Sequence, residues 1–359
     1  MKKILLLILA LCPILTFSQT IFRVNNTPGI TGVNVYSNLQ DAHDAASDGD
    51  IIYMEPSLQE YPEATLKKRL TIIGNGYFLQ DNNIEIEDNL ESKISYITLL
   101  YDESNPTQNP SESEFYGLKI GYLVAGRVSN VKVERCHVNY LTTYSNSFGC
   151  SGWVVKQCYL YNVSGSDGNT TSSNFAFINN LVEYILTGYN FSTITNNTLG
   201  FYGGFGPYVV VGNSIISNNI IVSANCENSS DSCNQPTFTG VSNSISNNII
   251  VFDNEGGTKE SDRSLPDNNG NVNGADLLST FRLPNPVVFG KGDFNLQLAA
   301  SSPAKGIGTG GVDAGAFGGA DPYVISGQIP FPIIKNFITT GVGNSAVPLN
   351  VNITIAGNN

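Results

Sequence analysis

Glu134 and Glu183 are the visible candidates for a pair of working carboxylates in the middle of the chain. Glycoside hydrolysis needs two such groups roughly 5–10 Å apart across the scissile bond. The two glutamates lie two coils apart in the repeat described below, which leaves a structural role as the competing reading. Cys136-His137 has the composition of a nucleophile and its base, or of two metal ligands. Adjacent residues at a strand bend point apart, so both are expected to be structural. His43 is placed on a short helix and is expected at the surface. Asp267–Asp276 (DNNGNVNGAD) alternates oxygen donors like a Ca²⁺ loop, but it lacks the glycine at its sixth position and the glutamate at its twelfth. It is read as a connection, with Ca²⁺ unsupported and no cofactor assigned. Gly306–Gly311 (GIGTGG) has no strand–helix unit around it and is read as turn glycines.

A second kind of chemistry is adhesive. Tyr159, Tyr161 and Tyr184, with Phe201, Tyr202 and the nearby Lys156, form a candidate ligand-binding row, because sugar rings stack on exposed aromatic faces. Scattered surface tyrosines are the ordinary alternative. Charged residues make up 13% of the chain, about half the usual share, and the net charge of −12 argues against nucleic acid as a partner.

The N-terminus sets the compartment. Lys2 and Lys3 precede an apolar run, Ile4 to Phe17, and then Ser18-Gln19-Thr20. This is the pattern of a signal peptide, residues 1–18, with cleavage expected near Ser18. Cys12 follows Leu11, where a lipoprotein signal needs a small residue. No later stretch is apolar enough for a transmembrane helix. The mature chain is expected to be secreted, extracellular or at the cell surface, with the periplasm as a further location. In such an oxidising place Cys226 and Cys233 are expected to close a loop as a disulfide. Cys136 and Cys158 either pair or stay as small buried groups, and Cys150 is left over.

The elements that must position these residues show themselves as a repeat. Six segments align on a key position: Cys136, Cys158, Asn180, Asn197, Asn219 and Asn248, spaced by 22, 22, 17, 22 and 29 residues. Three residues earlier stand Val133, Val155, Phe177, Ile194, Ile216 and Ile245; two residues later stand Val138, Leu160, Val182, Leu199, Ile221 and Ile250. The position just before the key residue is always polar: Arg135, Gln157, Asn179, Asn196, Asn218 and Asn247. Short strands repeating every 22 residues or so predict a parallel β-helix, a solenoid whose coils stack about 4.8 Å apart. The key column is expected at a bend, in left-handed conformation, with Asn180, Asn197, Asn219 and Asn248 as a buried amide ladder that Cys136 and Cys158 continue. The polar residue before it is expected to face water.

The ends differ. Ser37 and Gln40 match a capping box for a short helix whose apolar face is Leu39, Ala42, Ala45 and Ala46. Gly49-Asp50, the strand Ile51–Met54 and LTIIGNG (Leu70–Gly76) follow. This opening resembles that of secreted right-handed parallel β-helix proteins of the pectin-lyase-like class. Phe294–Gly319 is similar to the closing coil of those proteins. The resemblance spans roughly Val24 to Pro322. It implies an all-β, right-handed parallel β-helix over residues 21–322, with an N-terminal capping helix. The tail, 323–359, is strand-rich, with Leu349, Val351, Ile353 and Ile355 alternating, and is expected to pack on the last coil or along one face.

The resemblance also implies polysaccharide substrates. The hydrolases of the class carry N-T-D, D-D and G-H-G segments, and its lyases cluster Asp near a basic residue; neither pattern occurs here. The residues therefore favour a non-catalytic protein that binds a polysaccharide or a cell-surface component. The alternatives are a polysaccharide lyase or glycoside hydrolase with an unrecognised site, and a structural module that binds another protein.

Overall fold

The computed structural model describes residues 19–84, 86, 89–145, 148–166, 170–200, 208–223, 242–252, 265–266, 268–282, 293–339 and 348–357. Nearly all its strands lie in two large parallel sheets, of eleven and twelve strands, and the chain is a parallel β-helix-like solenoid. A typical coil adds a three-residue strand to the first sheet, turns through two residues, and adds a longer strand to the second. Val154–Lys156, Gln157-Cys158 and Tyr159–Ser164 are one such coil.

The register between coils explains the apolar columns. Val133, Val155, Phe177, Ile194, Ile216 and Ile245 are successive partners in the first sheet. Val138, Leu160, Val182, Leu199, Ile221 and Ile250 are successive partners in the second. Both columns line one core. A one-residue slip would turn each column outward, so burial fixes the register.

The bend between the sheets differs from expectation in one respect. The left-handed residue is the one before the ladder: Arg135, Gln157, Asn179, Asn196, Asn218 and Asn247 have φ of 53° to 58°. One left-handed residue is enough to turn the corner, and it leaves the next side chain pointing inward. Asn180, Asn197, Asn219 and Asn248 are fully buried there. Each backbone N–H and each side-chain amide donates to the Oδ1 one coil on, at 2.8–3.1 Å between Asn180, Asn197, Asn219 and Asn248. Asn271 receives the last of these bonds, from Asn248, and is itself held by backbone carbonyls of Ile245, Pro266 and Asn268. At the other end Cys158 N–H donates to Asn180, and Cys136 N–H to the sulfur of Cys158.

The left-handed column does not face water, because the C-terminal segment covers it. Residues 307–328 run lengthwise across the coils instead of forming a closing coil. Asn247 donates to Ile307 O, Asn218 accepts from Thr309, and Asn196 donates to Asp313 O. Asn179 donates to Ala316 O and Gly318 O, Gln157 to Asp321 and Pro322 O, and Arg135 to Gln328 O. The strap thus descends from a late coil to an early one. Its side chains Ala314, Ala316 and Tyr323, with Ala304 just before it, build a second core on the outside of the second sheet together with Tyr77, Tyr159, Leu181, Ile220 and Ile249. The tail then packs Ile329, Phe331 and Ile333 beside Ile51, Tyr53, Ile73 and Tyr116 of the early coils, not on the last one. It ends in an antiparallel hairpin, Ile333–Thr339 with Val351–Ala356.

At the N-terminus the helix is Leu39–Ala45, and Asn38, not Ser37, caps it by accepting from Asp41 N–H. His43 is buried, not exposed. Its Nε2 accepts from Lys67 N–H at 2.9 Å, which leaves Nδ1 to donate to Asp44 at 2.8 Å. Among the described residues no helix is long and apolar enough to cross a membrane. The signal segment 1–18 and the Cys226–Cys233 loop lie outside the described residues. Cys136, Cys150 and Cys158 are free thiols.

Candidate functional site

The outer side of the second sheet carries a continuous aromatic row. In each coil two consecutive residues stand between inward-facing apolar ones: Ser95-Tyr96 between Ile94 and Ile97, Gly121-Tyr122 between Ile120 and Leu123, Asn139-Tyr140 between Val138 and Leu141, and Tyr161-Asn162 between Leu160 and Val163. Two outward positions in succession bend the strand into a ridge. A register shift adds a residue at the same place in the next strand, where Tyr184 stands. Tyr96, Tyr122, Tyr140, Tyr161 and Tyr184 therefore follow one another along the ridge, one per coil.

Their rings interact in sequence. Tyr96–Tyr122 and Tyr122–Tyr140 are stacked, with centroids 5.3 and 4.6 Å apart and planes within 18° and 7°. Tyr161 meets Tyr140 edge-on at 78° and is nearly parallel to Tyr184, 6.0 Å away. Rings stacked along the solenoid axis share their faces with each other. What Tyr96, Tyr122 and Tyr140 offer outward is a line of phenol edges and hydroxyls, rather than the open ring faces expected for sugar stacking.

Beside the ridge runs a shelf of small side chains. Thr98, Val124, Thr142, Ser164 and Thr187 are paired from coil to coil and half-buried. At its early end Arg127 lies over the ring of Phe148, 3.4 Å from the centroid, and is ion-paired to Glu103. These three line a small pocket with Thr98, Tyr101 and Val124. On the far side of the ridge Lys93 and Lys119 both pair with Glu91. Each of these cations is thus ion-paired, Arg127 one to one with Glu103 and the two lysines sharing Glu91, and the ridge and shelf between them present mainly hydroxyls and amides.

The other candidates sit elsewhere. Lys156 lies on the first sheet, 2.9 Å from Asp321 and 3.2 Å from Glu134. Glu134 is buried among Lys132, Lys156 and Arg135 and beneath the strap. Glu183 is on the second sheet and accepts a short hydrogen bond from Tyr159. The two glutamates are on different sheets with different partners, so they do not form a carboxylate pair. Burial raises the Glu183 carboxyl pKa, and the Tyr159 hydrogen bond lowers it only in part. Tyr159 is itself buried, 3% exposed, under Phe78 and the strap, and so is not part of the exposed row. Phe201 and Tyr202 lie outside the described residues.

Cys136 and His137 do not act on each other. Cys136 turns into the core, where burial pushes its thiol up to about 12. His137 points outward into a box of Tyr77, Phe78 and Tyr159. Burial, helped by Lys119, pushes it down to about 3. A neutral imidazole and a protonated thiol on opposite faces of the strand give neither an ion-pair nucleophile nor a metal site. Among the described residues no three His, Cys, Asp or Glu side chains converge to hold a metal. In the Asp267–Asp276 stretch, Asn271 ends the amide ladder, Asn273 binds the backbone of Leu265, and Asp276 caps a helical turn. Gly306–Gly311 belongs to the strap.

Three members of the ridge, Tyr96, Tyr122 and Tyr140, were not singled out in the sequence. Their signal is there: each is followed by an apolar residue that is buried and then by Thr98, Val124 or Thr142, as in YIT, YLV and YLT. A second bend column was also missed. Ser192, Ser214 and Asn243 form a side-chain ladder ahead of the first sheet, each accepting from the backbone N–H of the coil before, at 2.9–3.1 Å. No family model, curated protein or solved structure matches the chain.

Proposed function

We propose that the protein binds a neutral, hydroxyl-rich polysaccharide along the tyrosine ridge and its adjoining shelf, at the outside of the cell that secretes it, without cleaving it. The observation that supports this most is the coil-by-coil alignment of five tyrosines beside a column of small side chains, four of which, Thr98, Thr142, Ser164 and Thr187, carry hydroxyls. A linear glycan presents hydroxyls at a regular interval along one direction, and a solenoid presents its side chains in the same manner. Binding through many modest contacts to a preformed surface avoids the ordering cost a flexible site would carry. Arg127, Lys93 and Lys119 are all engaged with carboxylates of the chain itself, which favours an uncharged polymer over an acidic one that would need free cations. Glu134 and Glu183 are engaged with Lys132, Lys156 and Tyr159, which supports binding over hydrolysis.

A glycan array probed with purified protein, with reducing-end and unsaturated-product assays run on each hit, tests the proposal. Retention of neutral linear glycans with no product formed is the expected result. Release of oligosaccharides from any polymer would overturn the non-catalytic reading. Exclusive capture of acidic polymers would overturn the neutral one.

A further inference from the structure

Beneath the strap lies a carboxyl group that binding along the ridge does not use. Asp293 precedes a short helical turn, Phe294–Leu296, and is fully buried. Three donors converge on it. The Tyr323 hydroxyl and the Ser326 N–H, both on the strap, reach Oδ2 at 2.5 and 2.8 Å. The side-chain amide of Asn82, from the loop after the early strand Thr71–Ile73, reaches Oδ1 at 2.6 Å. Tyr77, on the same loop, donates in turn to Tyr323 at 2.6 Å. None of these groups carries charge, and among the described residues Asp293 is in no ion pair. The same bonds hold the strap in a strained shape. Ser326 has φ of 62°, left-handed backbone that a residue with a Cβ adopts at a cost. It is fixed by Asp293 at its N–H, by Tyr77 N–H at its carbonyl, and by Asn82 and Phe78 O at its hydroxyl. Strain of this kind persists only while its surroundings over-determine it.

We propose that Asp293 is a pH-sensitive latch, which holds the end of the strap against the early coils in acid and loosens it as the pH rises. A buried carboxyl whose partners are all neutral is favoured in its uncharged form. Burial raises the Asp293 carboxyl above its ordinary 3.8, and the donors Tyr323, Ser326 and Asn82 offset this only in part. An opened strap returns the group to water and to that ordinary value, so the closed form binds the proton more tightly. Its advantage is complete below pH 3.8. Above that it falls, by up to about tenfold per pH unit, until the folded pKa is passed. The groups around the latch do not mimic this. Tyr77, Tyr323 and Tyr159 are pushed up by burial and stay protonated, as do the thiols of Cys136 and Cys158. Glu91 and Lys119 pair with each other beside Phe78, and Arg135 binds Gln328 O. His137, which burial pushes down to about 3, and the Lys156–Asp321 pair both favour the closed form as the pH rises, the opposite sign. Glu183, bonded to Tyr159, has the same sign as Asp293 and has to be separated by substitution.

Hydrogen exchange read by mass spectrometry on the whole protein, corrected for the intrinsic exchange rate at each pH, tests this. Protection of residues 315–327 should fall by about tenfold or more between roughly pH 4 and pH 8, while the coil Val154–Ser164 keeps its own. Asp293→Asn offers one acceptor and one donor, as the protonated acid does, and should abolish the fall. Glu183→Gln should leave it in place. Wild-type protection that stays constant, or that rises with pH, would overturn the inference whether or not the variants fold. So would a fall that persists in Asp293→Asn, or one that vanishes in Glu183→Gln.

Discussion

At the scale of the residue, the amide column shows how much one side chain can hold. Asn197 donates to the carbonyls of Phe177 and Thr195 and to Asn219, and accepts from the backbone and side chain of Asn180. Asn197→Ala strands several buried partners at once, and each orphaned group costs about 1–3 kcal/mol. We expect a loss of about 3 kcal/mol or more in denaturant unfolding, with Cys158→Ala in the same column costing less because sulfur bonds weakly. Glu183 gives a prediction in pH. Burial raises its folded pKa above the unfolded value of about 4.5, so its contribution to stability is complete below that pH and is lost as pH rises through the folded pKa. Glu183→Gln keeps an acceptor for Tyr159 and removes the titration. Its melting temperature should therefore gain on the wild type as pH climbs from 4 to 7. A gap that stays constant, or narrows, would contradict the assignment.

At the scale of the element, the strap was the least legible part of the chain. The apolar columns could be read because each coil repeats them at a near-constant spacing, and the register then pairs like with like. The ladder asparagines could be picked out because a buried amide at every coil needs a partner at the next. Which of the two bend residues takes the left-handed conformation could not be read, because Asn stands at both positions in four of the six rows and suits either role. The covering of the first amide column was hidden for a different reason. Asn247 and Ile307 lie 60 residues apart, and Arg135 and Gln328 lie 193 apart, and no local pattern announces such pairs. The strap's fit is tight where Gly327 passes under the solenoid. A Cβ there would lie 2.2 Å from a ring carbon of Tyr77 and 2.5 Å from Arg135 O, at φ +55°. Gly327→Ala should cost about 2–4 kcal/mol through overpacking and left-handed strain. Limited proteolysis should then cut within residues 300–328 at least tenfold faster than in the wild type, while the coils stay protected.

At the scale of the whole molecule, the solenoid is a device for repeating side chains in line. Inside, it repeats Val, Ile and Asn, which hold one coil to the next. Outside, it repeats Tyr and Thr along the second sheet. The inner repetition is strict because burial enforces it, and that is why the fold could be read from the sequence. The outer repetition is looser: Tyr96, Tyr122 and Tyr140 keep one register, while Tyr161 and Tyr184 are offset by a residue. Only the bend of the strands brings all five together, so the ridge needed the structure to be seen whole. This ridge is the proposed binding surface. Titration calorimetry with a neutral linear glycan, on the wild type and on a Tyr122→Ala/Tyr140→Ala double variant, tests it most directly. Two lost phenol hydrogen bonds of about 0.5–1.5 kcal/mol each predict a roughly five- to hundredfold loss of affinity, with the melting temperature lowered only modestly by the lost ring stacking. Equal affinity for the wild type and the double variant would contradict the claim.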